Sequence, residues 1–181
     1  QHSVGKETRK AAALAFFTAE MSMAANSAAT YYVSQLSGND ANDGKSQATA
    51  WKTFGKLNAF KLAPGDKVVV APGQQEESLK PMGGGTADNP VVIQFLPGIH
   101  TINIRNVTRV PLIVSNTMDS NDPMPVGILL EGCKHLRLQG GGVEGEKKTT
   151  ILYDGRMVQL CNNHSEDITF TGLVFDLKRP T

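Results

Sequence analysis

The sequence predicts a mainly β protein whose short strands wind into a parallel β-helix, a solenoid of stacked coils. A strand–turn–strand phrase occurs twice, at Gly127–Gly140 and at Gln159–Gly172, about 32 residues apart. The short strands are apolar at consecutive positions, which is typical of buried parallel strands. Asp-Gly pairs, which often close hairpins, occur only at Asp43-Gly44 and Asp154-Gly155, and the first does not lie between strands. These three observations favour a parallel solenoid over a sandwich of paired strands.

The two copies of the phrase align over both of their strands. The aligned pairs are Ile128 with Leu160, Leu136 with Ile168, Leu138 with Phe170, Gly140 with Gly172, and Val143 with Phe175. A unit of this kind cannot bury its apolar face alone and becomes stable when the next unit stacks on it. If the chain ends at Thr181, we expect an exposed coil edge, to be covered by downstream sequence, a second chain or self-association.

The preceding elements lead up to this repeat. Tyr31–Ser34 is an aromatic and β-branched strand, and a dense turn signal follows it. Apolar residues recur at three-residue intervals over Trp51–Phe60, which predicts an amphipathic helix of about three turns. The other predicted strands are Lys67–Ala71, Val91–Leu96, His100–Ile104, Pro111–Val114 and Thr149–Tyr153, with a loop over Ser115–Pro125.

The composition argues against several classes of partner. The 181 residues suffice for one domain with a sizeable core. Eighteen basic and 17 acidic residues give a formal charge of +1 without a block of like charge, so neither nucleic acid nor an anionic membrane is an expected partner. No uninterrupted apolar stretch is long enough to span a membrane.

The N-terminal residues 1–29 form a signal-like or capping segment, and the β-helix domain is expected over residues 30–181. Basic Lys6–Lys10 precedes apolar Ala11–Ala19, and Ser27–Ala29 suits a signal-peptidase site. This pattern predicts an exported protein, either secreted or periplasmic. The alternative is an Ala-rich helix that caps the open end of the solenoid.

No metal or cofactor site is expected. The turn Gly38–Gly44 carries Asn and Asp oxygens but lacks the bidentate Glu of an EF-hand, so a stabilised turn is favoured over a calcium loop. Zinc spacing is absent among the four histidines, which are His2, His100, His135 and His164. Cys133 and Cys161 are predicted to be small buried residues, with a disulfide between neighbouring coils as the alternative.

Two resemblances to known families follow, of which the first concerns the fold and the second also the reaction. Tyr31–Gly44, Trp51–Phe54 and Pro64–Asp66 resemble the N-terminal entry of many right-handed parallel β-helix proteins, which act on carbohydrates as lyases or hydrolases. A more specific resemblance, to glycoside hydrolase family 110, lies within about residues 91–181. It is carried in the family's order by Phe95–Gly98, Val114–Thr117, Pro125–Gly132, Asp154–Met157 and Ile168–Thr181.

The second resemblance implies a secreted bacterial exo-α-1,3-galactosidase that removes terminal galactose from glycans, including those of blood-group-B type. The chain departs from the family pattern at Asp154, where a His is expected, and at Leu177, where an aromatic residue is usual. Both departures concern the detail of the sugar subsites.

The implied inverting hydrolysis needs two carboxyl groups, one to protonate the leaving oxygen and one to activate water from about 6.5–9.5 Å away. By resemblance, the family's catalytic carboxylates lie in coils beyond Thr181, so no catalytic residue is expected in this chain. Asp176 and Arg156 are expected at a substrate-facing rim, with a salt bridge at the coil edge as the structural alternative. Turn carboxylates such as Asp167 are expected to be solvated.

Two other functions stay open. A polysaccharide lyase would remove the C5 proton of a uronate and yield an unsaturated product that absorbs ultraviolet light. A non-catalytic solenoid for glycan binding or adhesion would bind sugar without turnover. All three candidates take a glycan or oligosaccharide as partner.

Overall fold

The structure is a computed structural model, and it describes residues 28–103, 109–110 and 124–179. The signal-like pattern up to residue 27 and the predicted strand Pro111–Val114 lie outside the described residues, as does most of the predicted loop that follows it. The described residues therefore begin just before the expected β-helix domain.

Parallel strands dominate the described residues. The elements in chain order are β1 (Thr30–Val33), α1 (Phe54–Asn58), β2 (Lys61–Leu62), β3 (Lys67–Val70), β4 (Gly73–Gln75), β5 (Met82–Gly83), β6 (Val91–Phe95), β7 (Gly98–Asn103), β8 (Arg109–Val110), β9 (Met124–Glu131), β10 (Lys134–Gln139), β11 (Thr149–Asp154), β12 (Val158–Asn163), β13 (Glu166–Thr171) and β14 (Val174–Leu177). A short 3-10 helix at Gly145–Lys147 precedes β11.

The strands form the sheets of a parallel β-helix, as the sequence predicted. One sheet has the order β1-β3-β6-β10-β13, a second β4-β7-β11-β14 and a third β8-β9-β12. Pairing within these sheets is parallel except between β8 and β9. The run β9-β10-β11 is one coil and β12-β13-β14 is the next, so each coil adds one strand to each sheet.

The strand register confirms most of the predicted repeat alignment. Leu136 pairs with Ile168 and Leu138 with Phe170, while Ile128 pairs with Leu160 in the third sheet. The alignment of Val143 with Phe175 is wrong, because Phe175 pairs with Ile151 instead. A loop between β10 and β11 lengthens the first coil, and Val143 lies in that loop with 55% of its surface exposed.

The predicted helix Trp51–Phe60 is also wrong in its extent, because only Phe54–Asn58 is helical. Trp51 forms a parallel bridge to Val33 and stacks on Tyr31 with ring centroids 5.2 Å apart. Phe60 packs on the same Tyr31 ring. The three-residue spacing therefore reflects convergence on one aromatic cluster and not a continuous helical face.

Inward-facing side chains stack in columns to make the core. One column runs through the first sheet, and its members are Tyr31, Val68, Ile93, Leu138 and Phe170. Burial alternates along β3 and β6, so the consecutive apolar residues of these strands do not all face the core. Val69 and Val92 lie on the outer face and are half-buried.

The exposed side of β12, β13 and β14, here called the end face, has no coil stacked on it among the described residues. Leu160, Phe175 and Leu177 are 37%, 39% and 48% exposed, whereas their partners in the preceding coil are buried. Asn162 is in register with the buried Leu130, so it occupies an inward-facing position at this end.

The cysteines are free, and the alternative of a disulfide between them is wrong. Cys133 is buried as predicted, and burial raises the pKa of its thiol. Cys161 is only half-buried because it lies in the last coil, in register with Leu129. The side chain near Cys133 in the next coil is Ser165, whose Oγ accepts a hydrogen bond of 3.1 Å from the Cys133 amide.

The Gly38–Gly44 turn is stabilised by its Asn and Asp side chains, as favoured from the sequence. Asp40 accepts hydrogen bonds from the Lys52 and Thr53 amides at 2.8 and 3.0 Å, which anchors the residues before α1. Asp43 accepts from the Lys45 amide at 3.0 Å. These side-chain oxygens serve the backbone of the turn and its neighbours.

Candidate functional site

The two residues predicted at a substrate-facing rim lie on the second sheet or just after it. Asp176 is exposed in β14 and pairs across the sheet with Leu152. Its Oδ1 accepts a hydrogen bond of 2.8 Å from the Leu177 amide. Arg156 is exposed in the turn after β11 and makes no hydrogen bond or ion pair with any residue in the described part of the chain.

A salt bridge does join the coils at this edge, but it involves neither Asp176 nor Arg156. Lys178 Nζ lies 3.1 Å from Asp154 Oδ2, and the Lys178 amide donates to the Tyr153 carbonyl at 2.9 Å. The backbone bond extends the β11–β14 ladder and places Lys178 beside Asp154. Asp176 and Arg156 therefore keep polar atoms that a ligand could use.

The outer face of the second sheet provides a row of side chains next to this rim. Gln74, Thr101, Leu152 and Asp176 are successive partners in the register. Amides, hydroxyls and carboxylates placed in a row can hydrogen-bond the hydroxyls of a sugar chain. Asp176 is the last member of this row, and Arg156 lies in the turn that follows β11. Asp176 and Arg156 are called the rim below.

A second cluster of charged side chains, which the sequence analysis missed, links β10 to β13. Asp167 Oδ2 lies 2.7 Å from His135 Nδ1 and 2.8 Å from an Arg137 guanidinium nitrogen. The hydrogen bond from Arg137, followed by that from His135, holds the pKa of Asp167 below its usual range. Asp167 is therefore not the freely solvated turn carboxylate that was predicted. The repeat spacing that relates His135 to Asp167 could have revealed their proximity.

The third feature is an open cleft of about 550 Å³ beside the β9–β10 turn. It is lined by Lys80, Met82, Glu131 and Lys134 and by the backbone of Gly83–Gly85. The Lys80 ammonium lies 3.9 Å from the Glu131 carboxylate, and Lys134 lies 3.4 Å from Glu166. The sequence analysis did not predict this cleft.

Two other titratable side chains, those of His100 and Tyr153, are buried in the protein interior. His100 is buried, its Nε2 lies 2.7 Å from the Leu96 carbonyl oxygen, and burial lowers its pKa. The buried Tyr153 hydroxyl has no hydrogen-bond partner in the described structure, and burial raises its pKa.

Among the described residues, no group of three or more His, Cys, Asp or Glu side chains is placed to hold a metal ion. In the same residues, no helix is long and apolar enough to cross a membrane.

The described residues define a parallel β-helix protein, and comparison with known proteins shows which enzymes the chain resembles. Alpha-1,3-galactosidase A of Akkermansia muciniphila is 35% identical over 152 residues, which are 83% of this chain and 25% of that protein. This similarity confirms the resemblance to glycoside hydrolase family 110. The chain thus spans about a quarter of the length of this relative.

Two further comparisons agree with the fold. Lacto-N-biosidase of Bifidobacterium longum subsp. longum is 38% identical over 80 residues, which are 41% of this chain and 5% of that protein. The crystal structure of the native GH136 lacto-N-biosidase from Eubacterium ramulus superposes with a TM-score of 0.54 at 18% identity, covering 81% of this chain and 34% of that one. No protein-family model matches the chain.

Proposed function

We propose that the chain belongs to a glycoside hydrolase that releases terminal α-1,3-linked galactose from glycans. The observation that carries this proposal is the 35% identity to an α-1,3-galactosidase A over 83% of the chain. The outer row on the second sheet supports it, because its Gln74, Thr101 and Asp176 side chains offer hydrogen-bond donors and acceptors to sugar hydroxyls. The partner is therefore a galactose-terminated glycan or oligosaccharide.

The proposed mechanism is inverting acid/base hydrolysis. A carboxylic acid protonates the glycosidic oxygen while a carboxylate activates water on the opposite face of the sugar. We assign these two roles to coils beyond Thr181 and none to the described residues. Within this chain, the Asp176 carboxylate accepts hydrogen bonds from sugar hydroxyls and the Arg156 guanidinium donates them, which orients the glycan for reaction.

The test uses the complete product of the gene that encodes this chain, incubated with an α-1,3-galactosyl disaccharide. Release of free galactose is the expected result. Proton NMR of the first product then reports the stereochemistry, because an inverting enzyme releases β-galactose from an α-linked substrate. Absence of galactose release would contradict the proposed activity, and initial release of α-galactose would contradict the inverting mechanism alone.

A second candidate is a lacto-N-biosidase-type hydrolase, favoured by the 38% identity over 80 residues to such an enzyme. The same assay separates the two, because the second candidate would release a disaccharide from a suitable oligosaccharide and leave α-1,3-galactosides intact. The match covers 41% of the chain against 83% for the galactosidase, which is why we place the galactosidase first.

The remaining alternatives give different readouts. A polysaccharide lyase would generate ultraviolet-absorbing product from a uronate polymer. A glycan-binding or adhesion solenoid would show saturable sugar binding with no product from any of these substrates. Both outcomes are scored on the same preparation.

We also propose that the protein is exported and that residues 1–29 carry the export signal. Expression in a bacterial host with the native N-terminus, followed by N-terminal sequencing of the periplasmic or secreted product, tests this. Cleavage before Thr30 is expected. A cytoplasmic product that retains the basic and apolar residues would instead support a capping helix.

The end face is the proposed contact surface for a further coil or a second chain. Its exposed Leu160, Phe175 and Leu177 occupy positions whose counterparts are buried one coil earlier. Concentration-dependent sedimentation of the full chain, compared with a Phe175→Asp variant, measures self-association through this face. An identical concentration dependence for the two proteins would exclude the end face as the site of self-association.

A further inference from the structure

The open cleft beside the β9–β10 turn is lined by glycines whose positions leave little room for a side chain. The Gly85 amide donates to the Lys134 carbonyl at 2.9 Å, and the Gly84 amide donates to the Leu62 carbonyl at 3.4 Å. A Cβ atom on Gly84 would lie 2.7 Å from the Lys134 carbonyl oxygen. The glycines thus hold neighbouring chain segments close together and leave a floor without side chains.

The size of the cleft suits a small ligand. Its volume of about 550 Å³ falls within the roughly 300–1,000 Å³ that small-molecule sites occupy. Met82, which is 43% exposed, provides an apolar patch on the wall. The C–H face of a pyranose ring can pack on such a patch while its hydroxyls point to polar groups.

Polar groups in the cleft have unused hydrogen-bonding capacity. The Lys80–Glu131 separation of 3.9 Å and the Lys134–Glu166 separation of 3.4 Å both exceed the roughly 2.7–2.9 Å of a strong charge-assisted hydrogen bond. All four side chains are about half exposed or more, so these ion pairs contribute little stability. Their donors and acceptors remain available to a ligand.

The balance of charge favours a neutral ligand. Each lysine has a glutamate nearby, so the positive and negative charges of each pair cancel at neutral pH. An anion drawn to the lysines would also lie near the Glu131 carboxylate, which repels it. A neutral saccharide instead uses both signs, because its hydroxyls accept from an ammonium and donate to a carboxylate.

We propose that this cleft is a second saccharide-binding site, separate from the rim of Asp176 and Arg156, and that it takes a neutral disaccharide or the end of a neutral glycan. Lys80 and Lys134 donate to ring hydroxyls, Glu131 accepts from them, and Met82 contacts the C–H face. The choice of a glycan as ligand rests on the proposed function. Such a site holds a branched or repeated substrate while another part of it is processed.

The test is a titration of the full chain with α-1,3-galactobiose, followed by saturation-transfer NMR. We expect saturable binding with a Kd of about 1 mM, which corresponds to about 4 kcal/mol. Glu131→Gln keeps the shape of the side chain but removes its charge, and it should weaken binding about fivefold. Lys134→Met is a second variant that should also weaken binding. Glu144→Gln is the matched control, because Glu144 is an exposed carboxylate outside the cleft.

Each outcome decides the proposal. Loss of affinity in both cleft variants, in the wild-type and in the Asp176→Asn background alike and with Glu144→Gln unchanged, supports a separate site. No binding by the wild-type chain, or equal binding by Glu131→Gln, overturns it, as does the absence of any Glu131→Gln effect in the Asp176→Asn background. Tighter binding of a sulfated oligosaccharide than of galactobiose would contradict the assignment of a neutral ligand to the cleft. Galactose release by the complete gene product is read separately, so failure of the proposed activity is distinguishable from failure of this site.

Discussion

The Asp167 carboxylate in β13 lies 2.7 Å from Nδ1 of His135, the residue at the equivalent position of the preceding coil. Both residues have left-handed backbone conformations, with φ of 54° and 51°. Arg137 donates to the Asp167 carboxylate and also to the Asp167 carbonyl at 2.8 Å. These contacts connect the last two coils on the outer face of the first sheet.

Substitution of Asp167 should destabilise the protein in a pH-dependent way. The pKa of Asp167 is lowered in the folded state, so its stabilising effect is complete above the unfolded pKa of about 3.9 and is lost as pH falls through the folded pKa. Asp167→Asn keeps a residue that tolerates positive φ. Thermal unfolding should show a lower Tm for the variant at neutral pH and a difference that vanishes in acid. Asp176→Asn is the control, and a Tm difference that is constant with pH would contradict the assignment.

Removal of the Tyr153 hydroxyl should be neutral or stabilising. This hydroxyl is buried without a hydrogen-bond partner in the described structure, and an unsatisfied polar group costs about 1–3 kcal/mol. Tyr153→Phe should therefore raise the free energy of unfolding in urea by up to about 1 kcal/mol or leave it unchanged. Tyr153→Leu, which removes the ring stacked against Phe175, should lower it. A marked loss of stability in Tyr153→Phe would show that the hydroxyl has a partner.

Asp66 should contribute more to stability than an ordinary surface carboxylate. It is buried and accepts hydrogen bonds from the Ala29 and Ala63 amides at 3.0 and 2.8 Å. Asp66→Ala leaves both amides unpaired and should cost about 2–4 kcal/mol of unfolding free energy. The control Asp88→Ala removes an exposed carboxylate and should change stability by less than about 0.5 kcal/mol. Equal effects in denaturant titrations would refute the role of Asp66.

Two glycines of the repeat should differ in their tolerance of side chains. A Cβ on Gly140 would lie 2.7 Å from a Leu173 methyl and closer still to the Gly172 carbonyl oxygen. Gly140→Ala should therefore cost about 1–3 kcal/mol through overpacking. Gly132 has open space around its Cβ position, and His164 adopts φ of 51° at the equivalent place in the next coil. Gly132→Asn should retain the wild-type Tm within about 2 °C, and a collapse of this variant would contradict the equivalence of the turns.

The rim residues should affect substrate binding more than the chemical step. In the complete gene product, Asp176→Asn and Arg156→Met should each raise KM about tenfold, since a hydrogen bond to a charged group contributes about 1.5 kcal/mol or more. The value of kcat should change little, because uniform binding does not alter the chemical barrier. Lys148→Met is a matched control in an exposed loop. A fall in kcat with constant KM would place these residues at the reacting bond instead.

Local patterns were sufficient to predict the solenoid and most of its register. The repeat placed Leu136 against Ile168 and Leu138 against Phe170, because parallel coils put equivalent residues in register. The same reasoning failed at Val143, since the loop before β11 shifts the register of the second sheet relative to the first. The repeat spacing therefore predicts the register only between positions that no inserted loop separates.

The candidate sites were harder to predict because they depend on contacts between distant residues. The cleft is lined both by the glycine run that begins at Gly83 and by Glu131 and Lys134. The local sequence of neither segment predicts that the two segments are in contact. The partner of Asp154 is Lys178, across the sheet, although Arg156 is closer in sequence. Side chains two positions apart on a sheet share a face, but the cross-strand neighbour is nearer and forms the ion pair.

If a further strand stacks on the end face, the inward-facing Asn162 selects which strand can do so. Its counterpart Leu130 is fully buried, so any strand added next to β12 would enclose the Asn162 amide. Burying an amide costs free energy unless the amide is hydrogen-bonded. A strand that stacks on β12 therefore needs a polar group at the position in register with Asn162. A purely apolar strand, or one shifted by a single residue, would be penalised. One asparagine can thus set the alignment of what stacks here, as a buried asparagine sets register in a coiled coil.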